Sequence, residues 1–336
     1  MSAHRPTVSV MIPTFNRMEL LKTSLESVLA QTFEDFEVVI SDNASTDGTE
    51  DMVRAYPDAR IVYAKNPENI GWQRNMSVVL AMAKGEFLGF LPDDDLMMPD
   101  NLAMKVAMLR QHRQMGLVHS KYHVIDGAGV IVKSNTMWGH GSERDLHAVE
   151  SGQAVLRRLL LGYNTINLPT VLFRRECYDR LGGFSRKLHH TDDYEYWMKI
   201  AVHYDVGFLA APLVKWRVHA GTLSSKFVQG SKTGVSDDGL REQVLAKHMI
   251  LATYRDHIED YDALKRAVDR EVRDRVVLQA DLSLDENGRQ HLVRRFLIGM
   301  CREFPRLCWS PRVWWTFGKT LLSPQLISLI KRVGVR

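Results

Sequence analysis

No stretch of the 336 residues holds the ~18 consecutive uncharged apolar residues of a membrane-spanning helix, so no segment is expected to cross a bilayer. There are only three cysteines, Cys177, Cys301 and Cys308. Their number is odd, and none lies in a CxxC pair or at Cys/His metal spacing, which disfavours a disulfide scaffold or a zinc site and fits a reducing cytoplasm. No GxGxxG or GxxxxGK[ST] follows a strand-like run, which counts against dinucleotide oxidoreductase and P-loop chemistry. Internal repeats and low-complexity tracts are absent. The first seven residues are polar and lead straight into a strand-like run, without the pattern of a signal peptide.

What is present is ordinary in bulk and uneven in detail. Hydrophobic residues make up 45% and charged residues 25%, enough for a sizeable core and more than one domain. Net charge is +4, yet residues 289–336 hold ten Lys/Arg against one acid, Glu303, so the rest of the chain is acidic on balance. A nucleic-acid binder would carry its basic charge differently, and no nucleic-acid partner is expected.

Short apolar runs at residues 7–12 (TVSVMI), 37–41 (EVVIS), 60–64 and 87–91 (FLGFL) read as buried strands. Helical patterns at 19–30, 49–55 and 69–83 separate them. This alternation implies an α/β fold with a mostly parallel, Rossmann-like sheet and flanking helices. After residue 101 the pattern changes: a helix at 101–112, a hairpin of 118–125 and 130–132 around Asp126-Gly127, a helix at 152–161, a strand at 170–173, a helix at 191–203, and two strands at 206–209 and 213–218. Residues 224–239 are rich in Gly, Ser and Lys and read as a linker. Helices are expected at 240–257, 261–282, 288–303 and 311–332, a C-terminal helical extension.

The acids fall at strand ends. Asp42 follows the second run, Asp93, Asp94 and Asp95 follow the fourth, and Pro13 and Thr14 end the first. In a parallel sheet these positions converge on one edge, where open α/β sheets bind ligands. Crowded carboxylates repel unless a cation sits among them, and Mg²⁺ or Mn²⁺ shared with a diphosphate meets that need. Each piece also has a plainer reading: the three acids as a helix cap or solvated loop, and SDNASTDGT as a turn feeding a helix.

In their order, these residues resemble the family 2 glycosyltransferases of GT-A fold. VSVMIPTFNR (residues 8–17) resembles the family's opening strand and nucleotide loop, and SDNASTDGT (41–49) its second loop. Residues 69–95, NIGWQRNMSVVLAMAKGEFLGFLPDDD, resemble the stretch running into the DXD metal motif. Gly182–Phe184 and HTDDYEYWMKI (190–200) are similar to the acceptor-side loop and Glu-Asp motif, and WRVHAGTLS (216–224) to the closing Arg-x-His segment. Pro92 stands where the family has its first motif acid, and Asp192 where Glu is usual.

The resemblance implies an inverting transferase using a nucleotide diphosphate-sugar, UDP-linked by the Asp42 position, on a glycan or lipid-linked acceptor in bacterial surface polysaccharide synthesis. Residues 1–225 would be the catalytic domain, with the nucleotide-sugar half at 1–100 and the acceptor half at 101–225. It places Asp193 as general base beside Asp192, with Thr191 able to cap that helix. Pro13, Thr14, Asn16, Arg17, Asp42, Asn43, Arg74, Asn75 and Asp93 fall on the donor side; Asn75 also reads as helix surface. Asp94 or Asp95, with His219, would hold Mn²⁺ or Mg²⁺; His219 alternatively meets the diphosphate. Arg217 reads as a diphosphate or packing residue. Tyr194, Tyr196 and Trp197 read as core or as a sugar platform.

The basic tail, with Trp314, Trp315, Phe317, Leu321, Leu322, Ile327 and Ile330 among Arg312, Lys319, Lys331, Arg332 and Arg336, suits an anionic membrane surface or a packed helical bundle. A cytoplasmic protein, peripheral at the inner face of the membrane, is the matching expectation. The competing functions are a nucleotidyltransferase, for which PTFNR lacks a Gly-rich basic loop, and a degenerate nucleotide- or glycan-binding assembly protein.

Overall fold

The structure, a computed structural model, describes residues 5–136, 147–219, 236–284 and 290–322. The chain divides into two compact units, one of residues 1–219 with 257–259, the other of residues 220–256 with 260–336.

The first unit is built on one mixed sheet. Its elements begin β1 (Val8–Thr14), α1 (Met18–Leu29), β2 (Phe36–Asp42), α2 (Thr49–Arg54), β3 (Ile61–Lys65), α3 (Trp72–Met82) and β4 (Phe87–Phe90). There follow β5 (Leu96–Met97), α4 (Asn101–Gln111), β6 (Met115–Ile125), β7 (Ile131–Thr136), β8 (Ala148–Glu150), α5 (Gly152–Leu160), β9 (Leu172–Arg174), α6 (Arg175–Leu181), α7 (Asp192–His203) and β10 (Asp205–Arg217). The strand order is β3-β2-β1-β4-β9-β6-β10-β5, with β7 added to β6 and β8 to β10.

The first four strands are mutually parallel, as their two-sided burial requires: every residue of β1, β2 and β4 is buried. Val8, Val10 and Ile12 of β1 join Leu21, Leu25 and Val28 of α1 in one core. Antiparallel β9 bridges β4 to β6 and marks where the parallel half ends. Register sets the site: Thr14 lies opposite Asp42, and Met11 opposite Phe90, so the chain leaving β4 emerges beside the end of β1.

Three expectations are corrected. The strands expected at 206–209 and 213–218 are one strand, β10, which continues through irregular register around Pro212 because proline is accommodated at a bulge. Asp93–Asp95 cap no helix, since the two-residue strand β5 follows them. In the second unit the helix expected at 311–332 spans Pro311–Lys319 and is interrupted there, since Thr320, Leu321 and Leu322 turn back with N–H bonds to Phe317, Gly318 and Lys319 carbonyls; residues 323–332 of that expectation lie outside the described residues. The other helices of that unit are Asp237–Thr253, Tyr261–Leu284 and Gln290–Glu303. Most of the expected linker, together with Ile327, Ile330, Lys331, Arg332 and Arg336, lies outside the described residues.

Candidate active site

The loop after β1 and the loop after β2 are laced together. Asn16 sits at φ 50° and Ala44 at φ 67°, left-handed backbone that is costly for alanine and tolerated where surroundings enforce it. The Asn16 N–H donates to Ser45 Oγ at 2.9 Å, and its Oδ1 accepts from the Thr46 N–H at 2.8 Å. The Asn43 N–H donates to the Thr14 carbonyl at 2.9 Å. Asp42 is fully buried; its Oδ1 accepts from the Ser45 N–H at 2.8 Å and its Oδ2 from the Tyr63 hydroxyl at 2.6 Å. Desolvation and this carboxylate push the Tyr63 phenol pKa up, so the phenol stays a donor. Phe15, unassigned from sequence, leaves an aromatic ring 41% exposed in the first loop.

Asn75 is buried rather than surface-exposed. Its Oδ1 accepts from Ser41 Oγ at 2.6 Å and Asn66 Nδ2 at 2.9 Å, and its Nδ2 donates to the Ser41 carbonyl at 2.9 Å. It fixes the end of β2 from α3. Asn43 Nδ2 donates to Asn69 Oδ1 at 2.7 Å and its Oδ1 accepts from the Ile70 N–H at 2.9 Å, joining the same loops. Arg74, the residue before Asn75 on α3, is exposed.

Asp93, Asp94 and Asp95 are all buried, which rules out a solvated loop. Asp93 Oδ2 accepts from Thr14 Oγ1 at 2.8 Å. One Arg17 guanidinium nitrogen bridges Asp93 Oδ1 at 3.0 Å and Asp94 Oδ2 at 3.1 Å. His219 Nε2 lies 3.2 Å from the same Asp94 oxygen. Asp95 Oδ1 accepts from the Arg217 N–H at 2.7 Å, while its Oδ2 is buried with no hydrogen-bond partner among the described residues. Desolvation pushes the Asp93 carboxyl up to about 6, against Arg17 and with the help of Asp94. Desolvation and Asp94 hold Asp95 well above the usual carboxylate range.

The buried Arg217 guanidinium serves the backbone. Nε donates to the Asp94 carbonyl at 2.7 Å and Nη1 to the Asp126 and Gly127 carbonyls at 3.1 Å each. It therefore ties the acidic loop to the β6–β7 turn, the packing role of the two open from sequence. Among the described residues no three of His, Cys, Asp and Glu form a ready-made metal cage. Hard divalent cations bound through one or two carboxylates and substrate phosphates need none. The Asp94 carboxylate beside His219, and the Asp95 Oδ2 that has no hydrogen-bond partner among the described residues, are the donors such an ion could use.

A second group of residues surrounds Asp193. Its Oδ1 accepts from the Tyr194 N–H at 2.6 Å and its Oδ2 from Asn164 Nδ2 at 3.2 Å. Asp192 Oδ1 accepts from the Asp193 N–H at 3.1 Å. Thr191 occupies the cap position of α7 but its side chain makes no capping bond; the two carboxylates take the orphan N–H groups instead. Burial pushes the Asp193 carboxyl up to about 7, against the hydrogen bonds from Tyr194 and Asn164. Tyr194, Tyr196 and Trp197 are fully buried, so they are core rather than platform. Phe184 packs on Phe90 at 5.4 Å between ring centroids and on Tyr196 at 4.7 Å, which seats α7 and the 182–184 loop against β4, three residues ahead of Asp93. Gln73 Nε2 donates to the Leu188 carbonyl, closing the same loop onto α3.

Comparison with known proteins agrees with this layout. The family model for glycosyl transferase family 2 matches residues 9–176. An uncharacterized glycosyltransferase of Rickettsia typhi is 25% identical over 254 residues, covering 74% of this chain and 76% of that protein. The UDP-Glc:alpha-D-GlcNAc-diphosphoundecaprenol beta-1,3-glucosyltransferase WfgD of Escherichia coli is 24% identical over 220 residues, 65% of this chain and 79% of its own. Among solved structures, S. aureus TarS 1–349 in complex with UDP-GlcNAc superposes with a TM-score of 0.66 at 17% identity, over 98% of this chain and 92% of that one. The fold is thus that of the GT-A-type transferases.

Proposed function

The chain belongs to glycosyl transferase family 2 and is a glycosyltransferase, and from that premise we propose that it moves a sugar from a UDP-sugar to an acceptor hydroxyl with inversion at the anomeric carbon. The observation that carries the reading is the buried Asp93–Asp95 edge meeting Thr14, Arg17 and His219, with one Asp95 oxygen unpartnered among the described residues. WfgD takes UDP-Glc by its name and TarS was solved with UDP-GlcNAc, which supports uridine.

In this reading Asp94 and Asp95, with His219, hold Mn²⁺ or Mg²⁺. The ion supplies charge neutralisation on the leaving diphosphate. Asp93 faces the ribose or an ion-bound water, and Arg17 turns from the two carboxylates toward the diphosphate. Pro13, Thr14, Asn16 and Asn43 line the nucleoside site. Asp42 accepts the uracil imide N–H, which requires the 43–46 loop to move aside, because that carboxylate is covered in this structure. Arg74 reaches the donor from α3 and Asn75 acts through Ser41. Asp193, oriented by Asp192 and Asn164, takes the acceptor proton as the acceptor oxygen bonds to the anomeric carbon and the bond to UDP oxygen breaks.

The acceptor is a surface polysaccharide or lipid-linked glycan, and the protein works in the cytoplasm at the membrane's inner face. No helix among the described residues is long and apolar enough to cross a membrane. The second unit instead exposes Trp309 at 87%, Trp314 at 58%, Trp315 at 46% and Leu321 at 63%. Val313 and Thr316 are buried on the opposite side of the Pro311–Lys319 helix. An outward aromatic face beside Arg306 and Arg312 suits an anionic bilayer surface. Trp314→Ser/Trp315→Ser should weaken sedimentation with phosphatidylglycerol vesicles by roughly tenfold; unchanged sedimentation would remove the membrane from the account. The transfer itself is tested by incubating the protein with a panel of nucleotide-sugars and glycan acceptors. UDP release coupled to product formation is expected, and release from GDP- or CMP-sugars alone contradicts the uridine assignment.

A further inference from the structure

Between the 182–184 loop and α7 the chain reads Ser185-Arg186-Lys187-Leu188-His189-His190, four basic or imidazole side chains in six residues and no acid. Arg186, Lys187, His189 and His190 are exposed while Leu188 is buried. The segment is held in place: the Leu188 carbonyl accepts from Gln73, and the Leu188 N–H donates to the Ser185 carbonyl at 3.4 Å. Phe184, at its start, is wedged between Phe90 and Tyr196. Arg74 follows Gln73 in sequence and is also exposed, so pinning the loop to α3 brings that cation to its margin.

The side chains of Arg74, Arg186 and Lys187 make no ion pair among the described residues, although Glu176, Asp179 and Glu195 all belong to neighbouring elements. Nor do they tune the base: the upward shift of Asp193 comes from burial, opposed by hydrogen bonds alone. Exposed like charges on a fixed loop repel one another, and an incoming anion relieves that repulsion. The loop ends three residues before Asp193, the residue proposed as the base.

We infer that the 185–190 loop, through Arg186 and Lys187, is a subsite for phosphate charge on the acceptor, carried as a diphosphate ester next to the sugar that is extended. The inference rests on Asp193 being the base and gives that site its substrate class: a phosphate-bearing acceptor rather than a neutral glycan. Arg186 and Lys187 supply charge-assisted hydrogen bonds to non-bridging oxygens, an interaction that weakens with salt because the residues are exposed.

The test is calorimetric titration of hexyl diphosphate into the full-length protein saturated with UDP and Mg²⁺, so that the donor position is filled. Wild type is expected to bind it, with affinity falling as NaCl rises. Arg186→Ala/Lys187→Ala should lose roughly tenfold or more, and Lys187→Glu a comparable amount, with the UDP-induced rise in melting temperature unchanged in both. Equal affinity in wild type and variants, or no binding to wild type, overturns the inference. Absence of a UDP shift in wild type contradicts the donor assignment instead, and the same titration on nucleotide-free protein then reads the loop alone.

Discussion

Asp193→Asn is expected to lower sugar transfer by roughly a hundred- to ten-thousandfold, the span of a lost general base, while UDP binding is kept. A carboxyl raised to about 7 by burial is poised to accept a proton near neutral pH, so the rate in wild type should climb through that value and level above it. Stability should respond in the opposite sense. Because the folded-state pKa is raised from 3.8 to about 7, the folded protein holds this proton more tightly than the unfolded chain does. The contribution is full below about 4 and is lost as pH rises through about 7. Asn cannot ionise, so the variant should be at least as stable as wild type at pH 8 while nearly inactive. The Asn164 hydrogen bond holds the Asp193 pKa down; Asn164→Ala should therefore move the rising limb to higher pH, a shift that a purely structural loss would not give. Activity profiles of the three proteins between pH 5 and 9 check both statements, and an unshifted limb in Asn164→Ala would separate Asn164 from the base.

Arg217→Met should cost about 3–5 kcal/mol, because it removes three charge-assisted hydrogen bonds and leaves part-buried carbonyls without their donor. The guanidinium donates to three carbonyls on two loops, and methionine can fill the volume but replace none of those bonds. Melting should fall by roughly 10 °C on the usual scaling for a unit of this size. Arg217→Lys should recover little, because one ammonium cannot reach Asp94, Asp126 and Gly127 from the same position. Asp95 would keep the backbone N–H of residue 217, so its loop should loosen rather than vanish. Differential scanning calorimetry of the three forms measures the effect; a melting temperature within a degree or two of wild type would mean that the β6–β7 turn does not depend on this side chain.

The parallel half was legible because strands buried on both faces read as unbroken apolar runs, and the acids that end them could be placed on one edge before any coordinates. Short pieces were not: β5 has two residues and β8 three, too few for a period to register. Pro212 looked like a strand break because a bulge leaves no mark in the alternation of side chains. Asn75 read equally as helix surface because a polar residue on a helix usually faces water, and its partners at Ser41 and Asn66 come from separate elements. Asn164 and Tyr63 went unassigned for a related reason. They meet Asp193 and Asp42 only through tertiary contact, 29 and 21 residues away in the chain, with no local signature. Thr191 stands at a helix start where threonine commonly caps, yet the acids behind it compete for the same N–H groups and win.

A thermal-shift titration with UDP, with and without Mn²⁺, in wild type and in Asp94→Ala/Asp95→Ala, bears most directly on the donor site. A ligand that binds only the folded state raises the melting temperature with its concentration. A UDP-dependent rise is expected in wild type, one that requires Mn²⁺ and disappears in the double variant. An equal rise in both proteins, or a response to another nucleotide and none to UDP, would contradict the placement of a uridine diphosphate and its cation at the Asp93–Asp95 edge.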